Sequence, residues 1–401
     1  MKKCTRILCA LLIIACIFTI VPATASAVNI TAQAAVVLDF ETGEVLFERD
    51  PHTRRPPASM TKIMTAYIVY EEIAAGRLTL DTMIPISHHA SHFARDAWPG
   101  HLILASGGHY SVETLLRLIM LPSHNGACVA LAEYISGSEA AFVERMNAEA
   151  ERLGMNAIYE NSHGLWANSK SAYATAILLR DFITNHPDIL RISGMRSFTF
   201  KGATVNNTNR ILSEPHIDGF KTGTTAAAGP CLASTAYRNG QRVVVVTMNS
   251  SNNDNRFNDS LRLLDFGLEE AARRAAEREA EAARRIHVTI DGVPIEFDVQ
   301  PQLINSRTMV PIRAVVEALG AEVEWDRDTQ TVTVYAAGGE HVLRLTIGSY
   351  TLYVNDVSTE MDVAPILLGN RTLLPIRFVV EALGYNVDWD NATRTVVITT
   401  S

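Results

Sequence analysis

Apolar residues run almost without a break through positions 7–21, behind the charges of Lys2, Lys3 and Arg6 and ahead of Ala25-Ser26-Ala27. That run is shorter than the roughly 20 residues a membrane span needs. The basic start and small-residue end predict a secretory signal over residues 1–27. Further along, 34–39 is apolar, Glu41-Thr42-Gly43-Glu44 is a turn and 45–47 is apolar again, the pattern of a hairpin. The apolar run 63–70 predicts a helix. Residues 76–112 lose all periodicity and carry Pro85, Pro99 and Gly107-Gly108, which reads as a polar flap over a cleft. Helical spacing returns from 111 to about 153, interrupted at 123–125, and again over 172–182, with 161–165 a loop between. Residues 231–237 and 242–248 read as strands joined by the turn Arg238-Asn239-Gly240-Gln241, and a helix follows from Arg256 through 268. A sheet built from the two terminal hairpins, with helices between, makes 28–268 an α/β domain.

The next segment, 269–285, is almost wholly Glu, Arg and Ala with charges at helical spacing, a solvated helical linker. Beyond it the chain repeats itself. Residues 306–334 align with 370–398 at an offset of 64, with 17 of 29 positions identical. Each copy holds Arg-Thr, Pro-Ile-Arg, Val-Val-Glu-Ala-Leu-Gly, Trp-Asp and a β-branched strand, so that Arg313 matches Arg377 and Trp325 matches Trp389. Two copies of strand, helix and hairpin should bury their apolar faces against each other, giving a two-repeat α+β domain over 286–401.

Candidate chemistry starts at Pro57-Ala58-Ser59-Met60-Thr61-Lys62. A serine and a lysine three apart at a helix start share one face, and a desolvated amine can take a proton from the hydroxyl. Ser59 is the expected nucleophile and Lys62 its base. Ser123, in Ser123-His124-Asn125, can hydrogen-bond the lysine and relay a proton to the departing amine, while Asn125 can hold a substrate amide. In Lys221-Thr222-Gly223-Thr224, Lys221 supplies fixed charge, Thr222 can bond a ligand carboxylate, and Gly223 allows close approach of a strand. Backbone N–H groups of Ser59 and Thr224 are the natural oxyanion donors.

Charge changes the picture only by exclusion. The formal net charge is −8; without the three positive charges of the signal it is −11, of which −3 falls in 28–265, zero in 266–285 and −8 in 286–401. No basic footprint for nucleic acid exists. Three of the five cysteines lie in the signal, where Ile13-Ile14-Ala15-Cys16 is a second-ranked, lipoprotein-type processing site. Cys128 and Cys231, each in an apolar run, read as buried free thiols. His88 and His92 have ligand-like i,i+4 spacing but lack a third partner nearby, so no metal is expected there.

Ser-x-x-Lys, Ser-x-Asn and Lys-Thr-Gly in that order are the motif set of penicillin-binding proteins and class A β-lactamases. Residues 34–268 resemble the low-molecular-mass penicillin-binding proteins of the serine D-alanyl-D-alanine carboxypeptidase family. Asn161 to Leu165, Asn207-Thr208-Asn209 before Ile211-Leu212, Asp218-Gly219-Phe220, and Arg256-Phe257-Asn258 extend the resemblance. It implies a penicilloyl-serine transferase fold, a five-stranded antiparallel sheet flanked by helices plus a helical lobe. It implies a secreted, extracytoplasmic enzyme of the cell envelope, one that trims peptidoglycan stem peptides, bears on cell shape and is inhibited by β-lactams. Arg256 resembles the residue that grips the substrate's terminal carboxylate, and no cofactor is implied. Two departures stand out: His124 where a small residue is common, and Gly126 where an acid is frequent. A β-lactamase would want a Glu-x-x-Leu-Asn loop, which this chain lacks, and a silent wall-binding protein should have lost a motif residue. Transpeptidation remains open, since an amine and water compete for the same acyl-enzyme.

In place of the family's amphipathic membrane anchor, residues 286–401 resemble the stalk module named after the N-terminal domain of copper amine oxidases. Copper is not expected. The region has no cysteine and only two histidines, His287 and His341, while Met309 and Met361 sit in apolar contexts. A spacer, or a module for a neutral glycan or a wall or protein partner, is the expectation.

Overall fold

The computed structural model describes residues 28–93 and 98–400; the expected signal, 1–27, lies outside them. The chain divides into two compact units at 274/275, inside one continuous helix, Asn253–Arg284. The expected 256–268 helix and the charged linker are thus a single element.

The first unit is built on a five-stranded antiparallel sheet. Its strands are β1 (Ala34–Asp39), β2 (Val45–Arg49), β3 (Ile217–Thr225), β4 (Gly229–Arg238) and β5 (Gln241–Met248), in the order β2-β1-β5-β4-β3. Successive strand residues point to opposite faces, and here both faces are covered. Val36, Leu38, Ala233, Val244 and Val246 join one core, whereas Ala35, Val37, Leu232, Val243 and Val245 join another beneath Phe257, Leu263, Leu264 and Leu268. Burial on both sides is why these strands read as continuous apolar runs rather than alternating ones. The helix Asn253–Arg284 lies close to the sheet at Gly267, where a Cβ would stand 2.6 Å from Val37 Cγ1.

Helix α1 (Lys62–Ala74) is buried all round from Lys62 through Tyr70, as a helix in the middle of a core must be. Around it lie α2 (Asn125–Ser136), α3 (Glu139–Arg152) and α4 (Ala172–Asn185). Glu72, the buried acid of α1, is held by Arg77 at 2.6 Å and Arg145 at 2.5 Å. The expected polar flap is better packed than its composition suggests. Ile84, Ile86, Ala90, Leu102 and Leu104 are buried, and Ser91 Oγ donates to the Leu104 carbonyl at 2.6 Å.

In the second unit each repeat is a strand, a short helix and a hairpin, as expected. The strands Arg307–Pro311 and Arg371–Pro375 pair directly, and Val310, Val315 and Val316 share one core with Leu374, Val379 and Val380. Met309 and Met361 are buried, at 0% and 2% exposure. The strand His287–Ile290 pairs in parallel with Thr395–Thr399, joining the start of the unit to its end.

Candidate active site

Ser59 stands on a 3-10 turn, Ala58–Thr61, that runs straight into α1 at Lys62. Ala58 takes a left-handed φ of 47°, a costly conformation that is kept at functional turns. Across from it, Gly164 and Gly223 leave no room for side chains. A Cβ on Gly164 would sit 2.0 Å from the Ala58 carbonyl oxygen, and one on Gly223 would sit 2.6 Å from that of Pro57 and 3.2 Å from the Ser59 nitrogen. The edge strand β3 is therefore pressed against the nucleophile turn.

Lys62 is fully buried. Its Nζ lies 3.1 Å from Ser59 Oγ, donates to Asn125 Oδ1 at 2.8 Å and donates to the backbone carbonyl of His163. Burial pulls its pKa down to about 8. A neutral amine has two hydrogens and one lone pair. The Asn125 and His163 oxygens can only accept, so they take both hydrogens, and the lone pair is left facing the Ser59 hydroxyl. The geometry orients Lys62 as a base toward one proton.

Ser123 sits in a left-handed turn (φ 73°) just before α2. Its buried Oγ has no hydrogen-bond partner; Asn125, not Ser123, meets the lysine. Lys221 is fully buried on β3 and donates to the Thr222 carbonyl at 3.2 Å; burial, then the charge of Lys62, hold its pKa well below the usual range. The Thr222 hydroxyl lies 2.7 Å from that of Thr208, which places the Asn207-Thr208-Asn209 stretch beside the Lys-Thr-Gly strand. Arg256, 7% exposed, packs over the Phe257 ring and donates from Nη1 to Thr224 Oγ1 at 2.7 Å and to the Gly223 carbonyl at 3.3 Å. Lys62, Asn125 and Gly223 thus meet the Ser59 turn, Lys221, Thr222 and Thr224 share the strand of Gly223, Arg256 is bonded to that strand, and Ser123 stands apart.

Other contributors left no readable signal. Lys170 is fully buried, donates to the Met60 carbonyl at 3.0 Å and has its pKa drawn down to about 7 by burial, so it braces the nucleophile turn from behind. Asn168 Nδ2 donates to Thr61 Oγ1 at 3.0 Å. Both sit in a polar stretch without periodicity. The two departures from the family pattern share one explanation. His124 stacks on Trp98, with centroids 4.8 Å apart and planes 15° apart. Its Nδ1 accepts from the Ala127 N–H at 3.1 Å, which leaves Nε2 to donate to the Leu102 carbonyl at 2.9 Å. At Gly126 a Cβ would stand 2.3 Å from the Ala90 carbonyl oxygen. The flap thus rests on the Ser-x-Asn turn at both positions. Cys128 and Cys231 are free and buried, and burial raises the Cys128 thiol to about 12. Among the described residues, no group of three or more His, Cys, Asp or Glu is arranged to hold a metal.

Both regions of the chain match known proteins. Residues 21–252 match the family model described as D-alanyl-D-alanine carboxypeptidase, and 289–398 match the copper amine oxidase N-terminal domain. The chain is 34% identical over 252 residues to D-alanyl-D-alanine carboxypeptidase DacC of Escherichia coli (strain K12), covering 61% of this chain and 63% of that protein. It is 33% identical over 246 residues to DacF of Bacillus subtilis (strain 168), covering 59% and 62%. The chain thus spans somewhat under two thirds of these relatives' length. Among solved structures, penicillin-binding protein 6B of Escherichia coli matches with 34% identity and a TM-score of 0.56, over 59% of this chain and 77% of that one. The peptidoglycan synthesis regulatory factor PBP3 of Streptococcus pneumoniae matches with 33% identity and the same TM-score, over 60% and 72%.

Proposed function

Given that the chain belongs to the D-alanyl-D-alanine carboxypeptidase family, we propose that it removes the C-terminal D-alanine from peptidoglycan stem peptides through an acyl intermediate on Ser59. β-Lactams acylate the same serine in this reading. The observation that carries it is the arrangement at Lys62, whose hydrogens are engaged by Asn125 and His163 and whose remaining position faces Ser59 Oγ. Support for β-lactam capture comes from penicillin-binding protein D2 of Listeria monocytogenes, 28% identical over 60% of this chain, whose structure was solved with ampicillin bound.

In acylation, Ser59 Oγ attacks the carbonyl of the penultimate residue while its proton passes to Lys62. The negative oxygen that forms is met by the Ser59 and Thr224 N–H groups. The C–N bond then breaks, and the D-alanine amine takes the proton that Lys62 accepted from Ser59; Ser123, which does not meet the lysine, is not needed for that transfer. Water next attacks the ester, Lys62 again receives the proton, and Ser59 is regenerated. Lys221, Thr222 and Arg256 hold the terminal carboxylate, and Asn125 the peptide amide. The enzyme acts outside the cytoplasm at the cell envelope, where trimming of stem peptides limits cross-linking and so bears on cell shape. Incubation with a diacyl peptide ending in D-alanyl-D-alanine tests this: D-alanine appears with wild type and not with Ser59→Ala. Rapid penicillin turnover without D-alanine release would make the protein a β-lactamase. Neither activity would make it a silent binder.

A further inference from the structure

The second unit carries a symmetry that the first lacks. Val310 pairs with Leu374, its own equivalent at the offset of 64, flanked by Met309 opposite Pro375 and Pro311 opposite Leu373. The register is therefore symmetric about a local two-fold axis. The sheet order agrees, reading Gln302–Ile304, Arg307–Pro311, Arg371–Pro375, Ile366–Leu368.

Two cavities obey the same exchange. One, of about 540 Å³, is walled by Arg313, Glu324 and Trp325 of the first repeat and by Asn370, Arg371 and Thr372 of the second. The other, of about 340 Å³, is walled by the equivalents with the repeats swapped: Arg377, Asp388 and Trp389, with Ser306, Arg307 and Thr308. Each cavity takes a hairpin turn from one copy and a tryptophan hairpin from the other, so neither repeat holds a site alone.

Core packing accounts for the retained Ile312, Val315, Val316 and Leu319 with their equivalents, and Trp389 packs against that core, but it does not account for Trp325 or the arginines. Trp325 is 39% exposed, and the four arginines are half-buried or exposed. Some exposed positions away from the cavities have diverged, as Glu322 against Asn386 and Asp328 against Ala392, while Asp326 and Thr329, like Asp390 and Thr393, are kept by a shared turn hydrogen bond. The ion pairs are retained too: Arg371 with Asp298 at 2.5 Å matches Arg307 with Asp362 at 2.5 Å, and Arg313 with Glu317 matches Arg377 with Glu381. Exposed pairs of this kind contribute too little to stability to explain the retention. At the Trp325 cavity, whose walls hold Asp298 and Glu317 with Arg371 and Arg313, they fix guanidinium and carboxylate groups as neighbouring donors and acceptors beside an aromatic face; at the Trp389 cavity the walls take the arginines and not their acids.

We propose that these are two binding sites for an uncharged pyranose oligosaccharide. The indole face accepts the apolar face of a sugar ring; at the Trp325 site each Arg–carboxylate pair offers a donor beside an acceptor, as adjacent hydroxyls require, and at the Trp389 site Arg307 and Arg377 donate and Asp388 accepts. The arginine charges are already offset by acids, and the −8 net charge of 286–401 repels an anionic polymer. The sites are unequal. Arg394 lies over the Trp389 ring at 5.9 Å, whereas Gln330 stands at its equivalent position, so the Trp325 site is the more open and the stronger.

Calorimetric titration of the whole mature protein with cellotetraose and with the tetramer of β-1,4-linked N-acetylglucosamine tests the proposal, with a hyaluronan tetrasaccharide as the acidic comparator. Binding of at least one neutral tetramer, and not of the acidic one, is expected. Trp325→Ala should weaken it at least tenfold, Arg371→Ala severalfold and Trp389→Ala less than threefold, with unchanged thermal melting and D-alanine release. No binding of either neutral tetramer, preference for the acidic sugar, or full binding by a folded Trp325→Ala protein would each overturn it.

Discussion

Lys62 must be neutral to take the Ser59 proton, and burial sets the pH at which that happens. A lysine amine is neutral above its pKa, so the acylation rate should rise with pH through about 8 and level off above it. Stopped-flow acylation rates across pH 6–10 check this; a profile flat through pH 8 would speak against Lys62 as the base. Lys62→Ala should lose roughly a thousandfold or more in acylation, as Ser59→Ala does, because the two act as one unit. Arg256 carries a different prediction. It bonds Thr224 and Gly223, and in the proposed reaction its charge serves the ligand's terminal carboxylate. Arg256→Ala should cost about a hundredfold on a free-acid peptide, the worth of a strong charge-assisted bond, and far less on a thioester lacking the carboxylate. Equal losses on both would refute that role. At this scale the sequence was most legible, since Ser59, Lys62, Asn125 and Lys221 announce themselves by motif. Ser123 was legible as a residue, but not its position apart from the lysine. Lys170 and the His163 carbonyl were not legible, because a lone buried lysine and a backbone oxygen leave no pattern.

The elements were legible where burial is one-sided or complete, and obscure where polar residues are buried for chemistry. Both terminal hairpins and α1 follow from apolar runs, but β3 does not: Lys221 and Thr222 are buried on it without any apolar alternation. The flap misled for the opposite reason, since its polar surface conceals the anchors Ala90 and Leu102. Its seat on the Ser-x-Asn turn gives two predictions. Restoring the acid common in the family, Gly126→Asp, would drive a side chain into the Ala90 carbonyl and should lower the melting temperature by several degrees while impairing acylation. A variant as stable and active as wild type would contradict that packing. His124 is held neutral by burial, with its pKa near 4 against about 6.5 in the unfolded chain. The unfolded state therefore binds more protons at acid pH, so stability is whole above about 6.5 and falls as pH drops toward 4. Melting of His124→Asn should lose part of that acid dependence, and an unaltered slope between pH 6.5 and 4 would assign it elsewhere.

For the molecule as a whole, the repeat announced the second unit from its sequence, yet not the exchange of hairpins, which depends on which strand of one copy pairs with which of the other. The boundary was also blurred, because a single helix, Asn253–Arg284, runs through the division at 274/275. All motif residues fall in the first unit, so a chain ending at Arg285 should release D-alanine from a soluble peptide at the full-length rate. Loss of that activity would mean the second unit takes part in catalysis. One acylated serine decides the mechanism, and intact-protein mass spectrometry after brief exposure to penicillin reads it directly. A single penicilloyl adduct mapping to Ser59, slow to disappear and absent from Ser59→Ala, is the expected result. An adduct persisting in folded Ser59→Ala protein would contradict it.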